Sequence, residues 1–337
     1  MSAQWKLFLA IRFPIAVFAF LGFFQIFAMA LSHVPLRRFE TDSLPEAISR
    51  DSDSHRALLF GDSTAQTATR RYNVGTPDRV LNLATHAHIG LSGSLLLLRR
   101  YLATHSPPEY VFFVTTPSFF ALPQEPRKLH YYTWNVFQRP EEHALLKQLY
   151  PAVDADEWTP AAMNLQQKIV EPLLSLLQRG PAKFYPLGAD PDANAPLEPA
   201  STNVASDAAI RERFSEPTDL TDPAAVAIRY VCQESAKYGF KIGIAWAPAP
   251  VPVAVHWRET KALEKLEDQI RKAMGPECAS TEFSNFNDST AYLAFDHIAL
   301  HLRGIGWEQR LTSQMKSYIE RALQNRRAEA LTSSQRP

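Results

Sequence analysis

The sequence predicts an α/β fold, a three-layer sandwich in which helices cover both faces of a mostly parallel sheet. Short apolar runs with the composition of buried strands alternate with longer stretches that have helical spacing of apolar residues. Most of these runs are followed by Gly or Pro, as strands that enter turns are. Such alternation is typical of parallel sheets, whose strands are buried on both faces. The chain has 337 residues, enough for one large domain with insertions.

The individual elements follow from the same criteria. Four apolar runs predict strands, and the run before Pro117 has the strongest strand composition. Three stretches predict helices that pack on the sheet, and a further helix begins after Ser63. The strands are expected at 57–60, 79–84, 110–116 and 241–246, and the helices at 91–102, 224–238 and 259–274.

The chain is expected to have four parts. Residues 1–34 form an N-terminal membrane anchor, 35–55 a polar stalk, 56–325 the α/β domain and 326–337 a polar tail. Within the domain, residues 124–223 form an insertion that begins with helical spacing and continues as a Pro- and Ala-rich loop.

The N-terminal segment contains an uncharged run at 13–31. About 20 apolar residues are needed to cross the hydrocarbon core of a bilayer, so the run predicts a transmembrane helix. Two alternatives stay open: a cleaved signal peptide, because Ala28-Met29-Ala30 resembles a cleavage site, and a buried core helix. Basic residues flank the run on both sides and do not fix its orientation.

Composition excludes several classes of function. Lys plus Arg and Asp plus Glu both number 35, so no net charge favours nucleic acid. Cys232 and Cys278 are too few for a disulfide framework, although they can form one bridge in an oxidising compartment. No cysteine or carboxylate joins His86, His88 and His105 at the spacing of metal ligands, so no metal site and no cofactor are predicted.

Ser63 is the candidate nucleophile. It follows a buried strand that ends in Gly61-Asp62, and it begins the next helix. The glycine at this turn can adopt a strained φ. This order places the hydroxyl at the carboxyl edge of the sheet, where ligands bind in open α/β folds. The first amides of the helix can stabilise an oxyanion there. The alternative is an ordinary Asp or Ser helix cap.

The base and its acid are expected near the C-terminus. Asp296, His297 and His301 lie within six positions of one another. A serine needs a base, and a carboxylate that orients the base completes a triad. We assign His301 as the base and Asp296 as its partner, with His297 as the alternative base. The other interpretation is a surface loop with satisfied polar residues.

These blocks resemble the SGNH, or GDSL-type, hydrolase and acyltransferase superfamily. Gly61-Asp62-Ser63 matches the first block, and the Asp and His followed by Gly304 resemble the last. Asn82 through Gly90 and Thr115 through Phe119 are similar in position to the second and third blocks. The resemblance covers roughly residues 56–120 and 230–315.

The resemblance implies a mechanism with two departures from the family. Amides of Ser63 and Gly90 would bind the oxyanion, helped by Thr116. The family's third block supplies an asparagine there, whereas this chain has Thr115, Thr116 and Ser118. Four residues separate Asp296 from His301, instead of the usual two, which leaves Asp288 as an alternative acid.

Membrane-tethered relatives of this layout modify polysaccharides by O-acylation, which sets the expected function. The resemblance implies O-acetylation of a cell-envelope or exported polysaccharide, from a bacterial inner membrane anchor with the domain on the periplasmic side. The expected partners are the acceptor glycan, the lipid bilayer and a membrane protein that donates acyl groups. A carbohydrate esterase or lipase with the same triad, and a non-catalytic scaffold subunit of a polysaccharide assembly complex, remain the alternatives.

Overall fold

The computed structural model divides the chain into two compact units. One comprises Met1–Asp42 with Ala155–Phe184, and the other comprises Ser43–Asp154 with Tyr185–Pro337. The residues that the structure describes are 5, 8–20, 23, 44–45, 47–49, 53–62, 65, 80–85, 87–123, 129, 133, 136–137, 139–151, 218–247, 251–286 and 307–334.

In the first unit, the described residues form a short helical segment. A π-helical turn, Phe8–Arg12, leads into α-helix at residues 13–20. Large apolar side chains on this segment are exposed, among them Ile15, Phe18 and Phe20 at 62%, 74% and 62%. Within the described ranges, no helix has both the length and the apolar character to cross a bilayer. Residues 21–22 and 24–31 of the predicted span lie outside those ranges.

The second unit contains a five-stranded sheet in which every described strand pairs in parallel. The strand order is β2-β1-β3-β4-β5, so the first two strands in the chain are neighbours and β3 begins the opposite side. The predicted parallel sheet and its four predicted strands are confirmed. The strands are β1 (Ala57–Gly61), β2 (Val80–Asn82), β3 (Tyr110–Thr115), β4 (Lys241–Trp246) and β5 (Glu282–Asn285).

Seven α-helices with four or more consecutive described residues lie in this unit. They are α1 (Gly90–Thr104), α2 (Ser118–Ala121), α3 (Pro140–Leu149), α4 (Asp222–Tyr238), α5 (Val251–Thr260), α6 (Ala262–Met274) and α7 (Trp307–Ser334). A 3-10 turn, Pro276–Cys278, precedes β5.

Helices pack on both faces of the sheet, as predicted. Alternate side chains of a strand point to opposite faces, so Leu59 and Leu58 contact different layers. The Leu59 face joins Met315, Ile319 and other side chains of α7 in one buried cluster. On the other face, α1 and α4 contact the strands, and the indole of Trp246 donates a 2.7 Å hydrogen bond to Glu267 of α6. Each large side chain buried this way stabilises the fold by about 2 kcal/mol.

Several details differ from the sequence-based expectation. The predicted helix at 259–274 is α6 with a separate α5 before it, because Lys261 adopts a left-handed conformation, φ 54°, between them. Strand β5 was not predicted, since its sequence, Glu-Phe-Ser-Asn, has one apolar residue. Helix α7 extends to Ser334, beyond residue 325, where the sequence placed the start of a polar tail, and that boundary stays a prediction.

The two cysteines of the chain form a disulfide. Cys232 in α4 and Cys278 in the 3-10 turn have Cα atoms 5.8 Å apart, within the range for a bridge, and both side chains are buried. The bridge ties α4 to the turn that leads into β5.

Candidate active site at the carboxyl ends of β1 and β3

The described residues cover only part of the predicted constellation. Gly90 and Thr116 are described, and so are Gly61 and Asp62 beside the candidate nucleophile. Ser63, Asp288, Asp296, His297 and His301 lie outside the described residues, and their roles stay predictions.

The strand order identifies where a ligand crevice belongs in this fold. From β1 the chain crosses to β2 on one side, and the next crossover takes it to β3 on the other side of β1. Where the helices that follow two adjacent strands lie on opposite faces of the sheet, a crevice opens at the carboxyl ends of those strands, and this place is called the switch point. In a sheet with the strand order 2-1-3-4-5, the switch point lies between β1 and β3. Gly61 ends β1, and Val114 is its register partner in β3.

Position 61 requires glycine because there is no space for a side chain. A Cβ atom added to it would lie 2.0 Å from the carbonyl oxygen of Val114 and 2.7 Å from the Cβ atom of Ala65. The expected strained φ was wrong, because the described glycines with positive φ are Gly90, Gly239 and Gly275. Gly61 instead allows β3 and the helical residue Ala65 to approach the end of β1 closely.

Asp62 connects the two strand ends. Its side chain is buried, with 3% exposure, and Oδ2 accepts three hydrogen bonds from β3 and the residue after it. The donors are the Thr115 hydroxyl at 3.0 Å, the Thr116 amide at 3.0 Å and the Thr116 hydroxyl at 2.8 Å. Oδ1 accepts the Ala65 amide at 3.4 Å, as a helix N-cap does. Hydrogen bonds of this kind make burial of a carboxyl group tolerable.

Thr116 is therefore engaged within the protein. Its hydroxyl hydrogen is donated to Asp62, and the Ser118 hydroxyl, 2.7 Å away, then donates to the Thr116 oxygen. The predicted help of Thr116 in an oxyanion hole would require this donation to change direction.

The segment after β2 runs alongside the end of β1. The amide of Leu83 donates to Leu59 at 2.7 Å, and the amide of Thr85 donates to the carbonyl of Gly61 at 3.0 Å. The segment that resembles the family's second block thus begins next to the Gly-Asp turn. Thr85 is buried there, with 2% exposure.

Gly90 lies at the other end of this segment, where α1 begins. Its φ is +58°, a conformation that favours glycine. Its amide donates to the carbonyl of Ala87 at 3.1 Å. An oxyanion that used the Gly90 amide would have to compete with this bond.

Asp62 is the site residue whose contacts sequence reasoning missed, because the Asp was considered only as a helix cap. The signal was present in the polar residues that end two apolar runs, Asp62 after the first and Thr115-Thr116 in the third. Carboxyl ends of neighbouring parallel strands meet at one edge, so these residues meet if the strands are adjacent. The sequence did not establish that β1 and β3 are adjacent.

A second polar region lies at the opposite side of the same edge, between β5 and α7. Tyr318 of α7 is buried there, and burial raises the pKa of its hydroxyl well above the usual value. The ring of Tyr318 packs edge-on against Phe286 and Phe112, with centroids 5.7 Å and 5.4 Å apart.

Comparison with known proteins adds little to this site. No protein-family model matches the chain, and no curated protein matches it. A solved structure from Streptococcus pneumonia, provisionally described as a platelet activating factor, is similar at 11% sequence identity and a TM-score of 0.39. The match covers 90% of this chain and 98% of that chain.

Proposed function

We propose that this chain transfers acyl groups through Ser63, and that its reaction is the O-acetylation of a cell-envelope or exported polysaccharide. The observation that supports this most is the network around Asp62, the residue directly before Ser63 in the sequence. Oδ2 of Asp62 accepts three hydrogen bonds from Thr115 and Thr116 at the switch point of the sheet. A nucleophile benefits from such a fixed backbone because catalysis depends on orientation.

The proposed chemistry has two steps. Ser63 Oγ attacks an ester or thioester carbonyl, its proton passes to His301, and the proton then leaves with the alcohol or thiol of the donor. In the second step His301 removes a proton from a sugar hydroxyl, which attacks the acyl-enzyme. The bond to Ser63 Oγ then breaks, and His301 returns the proton to Ser63 Oγ. Asp296 orients His301, with Asp288 as the alternative acid and His297 as the alternative base. The oxyanion is bound by amides of Ser63 and Gly90, with help from Thr116.

Two observations support a location at the bacterial inner membrane with the domain outside the cytoplasm. In the described helical segment at 13–20, exposed apolar side chains point in every direction around the helix, with no polar face. A docking helix would instead have one apolar face. The disulfide Cys232–Cys278 fits an oxidising compartment. A membrane protein that donates acyl groups is the corresponding proposed partner.

An acyl-transfer assay tests the proposal. The full-length chain in detergent is incubated with p-nitrophenyl acetate and a set of oligosaccharides, and mass spectrometry follows acetylated sugar while absorbance follows hydrolysis. We expect acetylated oligosaccharide from the wild type and none above background from Ser63→Ala. Ser106→Ala, which changes an exposed serine, serves as the matched control and should behave as wild type. Acetate release without acetylated sugar would favour the esterase or lipase, and equal transfer by Ser63→Ala would refute the proposal.

One observation favours a second candidate, a non-catalytic scaffold subunit of a polysaccharide assembly complex. Both described oxyanion candidates are engaged internally, Gly90 with Ala87 and Thr116 with Asp62. Loss of one oxyanion donor costs on the order of a hundredfold or more in rate. Under this candidate, a folded sample produces neither acetate nor acetylated sugar faster than the Ser63→Ala variant, yet it still binds glycan.

A further inference from the structure

An open pocket of about 430 Å³ lies at the carboxyl end of β5. Ser284, Asn285 and Phe286 form one wall, and one face of α7 between Ser313 and Arg321 forms the other. We call it the β5–α7 pocket. Its volume is within the range of small-molecule sites, roughly 300–1,000 Å³.

Most of the side chains that line the pocket carry neutral hydrogen-bonding groups. Of the eight lining residues that the structure describes, five carry a hydroxyl or an amide on an aliphatic side chain, and none is acidic. On α7 these groups recur along one face, because positions 313, 317 and 321 are four residues apart. Hydroxyls and amides both donate and accept hydrogen bonds, as the hydroxyls of a sugar do.

An aromatic surface accompanies these polar groups. Phe286 is half-buried, and its ring meets that of Tyr318 edge-on at a centroid distance of 5.7 Å. This packing holds the Phe286 ring in a defined orientation beside the polar side chains. An apolar ring face next to hydrogen-bonding groups matches a sugar, which has C–H bonds on its faces and hydroxyls at its edge.

Other ligand classes fit the lining less well. Divalent metal sites in proteins usually include a carboxylate or an imidazole, and the described lining residues supply neither. A phosphate group would be expected to meet more than one cation, whereas Arg321 is the single basic residue among the described lining residues. Its guanidinium also donates to the carbonyl of Ser317 at 3.2 Å. A long acyl chain would require a mostly apolar wall.

The pocket opens on the same edge of the sheet as the candidate active site. Thr115, which binds Asp62, pairs with Trp246, and Trp246 pairs with Asn285 at the pocket. Three interstrand spacings separate β1 from β5, which is on the order of 14 Å. A chain of a few sugar units spans this distance.

We propose that the β5–α7 pocket binds a sugar unit of the acceptor polysaccharide and directs a neighbouring unit toward the carboxyl ends of β1 and β3. This assignment rests on the proposed function for the identity of its ligand. Because glycan binding requires no chemistry at Ser63, the two proposals can fail separately.

Binding measurements test the pocket directly. The full-length chain in detergent is titrated calorimetrically with hexasaccharides of β-1,4-glucose, α-1,4-glucose and β-1,4-N-acetylglucosamine. In Ser317→Phe a large ring fills the pocket, and in Arg321→Gln one donor group is replaced with little change in size. Lys316→Phe is the matched control, since Lys316 is an exposed neighbour on α7 that does not line the pocket. Circular dichroism verifies that each variant is folded.

We expect at least one hexasaccharide to bind the wild type and Lys316→Phe alike, at least tenfold more weakly to Ser317→Phe and several-fold more weakly to Arg321→Gln. Equal binding by the wild type and Ser317→Phe, equal losses in Ser317→Phe and Lys316→Phe, or no binding of any hexasaccharide at millimolar concentration would overturn the assignment. If binding follows this expectation while the acyl-transfer assay is negative, the pocket proposal stands and the proposed catalytic function fails.

Discussion

The two sides of the carboxyl edge of the sheet use polar residues in opposite ways. At β1 and β3, the polar groups bind one another, since Asp62 is buried and accepts hydrogen bonds from Thr115 and Thr116. At β5, by contrast, serine and amide side chains border an open pocket. The first arrangement fixes a backbone position, whereas the second leaves side chains accessible to a ligand. Under the two proposals made above, orientation of the reacting group and recognition of a ligand take place at separate positions along this edge.

Gly61→Ala is expected to have the largest effect on the tight side. The new Cβ atom would meet the backbone oxygen of Val114, which cannot move without disturbing the pairing of β1 with β3. We expect a loss of about 4 kcal/mol or more in the free energy of unfolding, above the usual range for overpacking. Gly239→Ala is the control: nothing lies within 4 Å of its Cβ position, and only its positive φ is strained. Urea unfolding that gave similar losses for both variants would contradict the close approach at Gly61.

Reduction of the disulfide should mainly destabilise the β5 side of the carboxyl edge. The bridge joins α4 to the turn before β5, and a native disulfide typically contributes about 3 kcal/mol. We therefore expect reduction to lower the melting temperature and to increase amide exchange in β5 more than in β1. The double variant Cys232→Ala/Cys278→Ala should be insensitive to reductant. Equal increases in exchange across β1 and β5 would show that the bridge does not act locally.

Asp62→Asn tests the network that joins β1 to β3. The substitution keeps the shape of the side chain but replaces one of its two accepting oxygens by an NH2 group. That group would face either the three donors at Oδ2 or the Ala65 amide at Oδ1. We expect a loss of about 2 kcal/mol in the free energy of unfolding.

A double-mutant cycle with Thr115→Val shows whether Asp62 acts through that contact. Thr115 donates its hydroxyl to Asp62 at 3.0 Å, so the two substitutions should be non-additive by about 1 kcal/mol. Additive effects would mean that the two side chains are not coupled.

Gly243→Ala is expected to have the smallest effect of the four. Its Cβ atom would lie 2.6 Å from the Tyr318 hydroxyl and 2.7 Å from a ring carbon of Phe112, so it meets side chains instead of backbone. These rings can adjust, and we expect a loss of about 1 kcal/mol in stability. The same adjustment would displace Tyr318 beside the pocket and weaken glycan binding. A loss as large as that of Gly61→Ala would remove the distinction between the two sides.

The sequence predicted much of the fold because burial on both faces gives strands a continuous apolar composition. β1, β3 and β4 are such runs. β5 was not predicted because an edge strand needs few apolar residues. α5 was not predicted because the Pro-rich sequence before it indicates a loop. The partners of Asp62 depend on which strands are neighbours, a property of topology that local composition does not carry. The β5–α7 pocket likewise combines segments about 30 residues apart in the chain.

The central claim is that the fixed turn at the end of β1 presents an activated serine. Labelling with a fluorophosphonate probe, followed by peptide mapping, tests it without knowledge of the substrate. We predict that the probe modifies Ser63 in the folded wild type and in Ser106→Ala, and that labelling is lost in Ser63→Ala. Wild-type protein that stays unlabelled while an active serine hydrolase reacts under the same conditions, or labelling that persists in Ser63→Ala, would contradict the account.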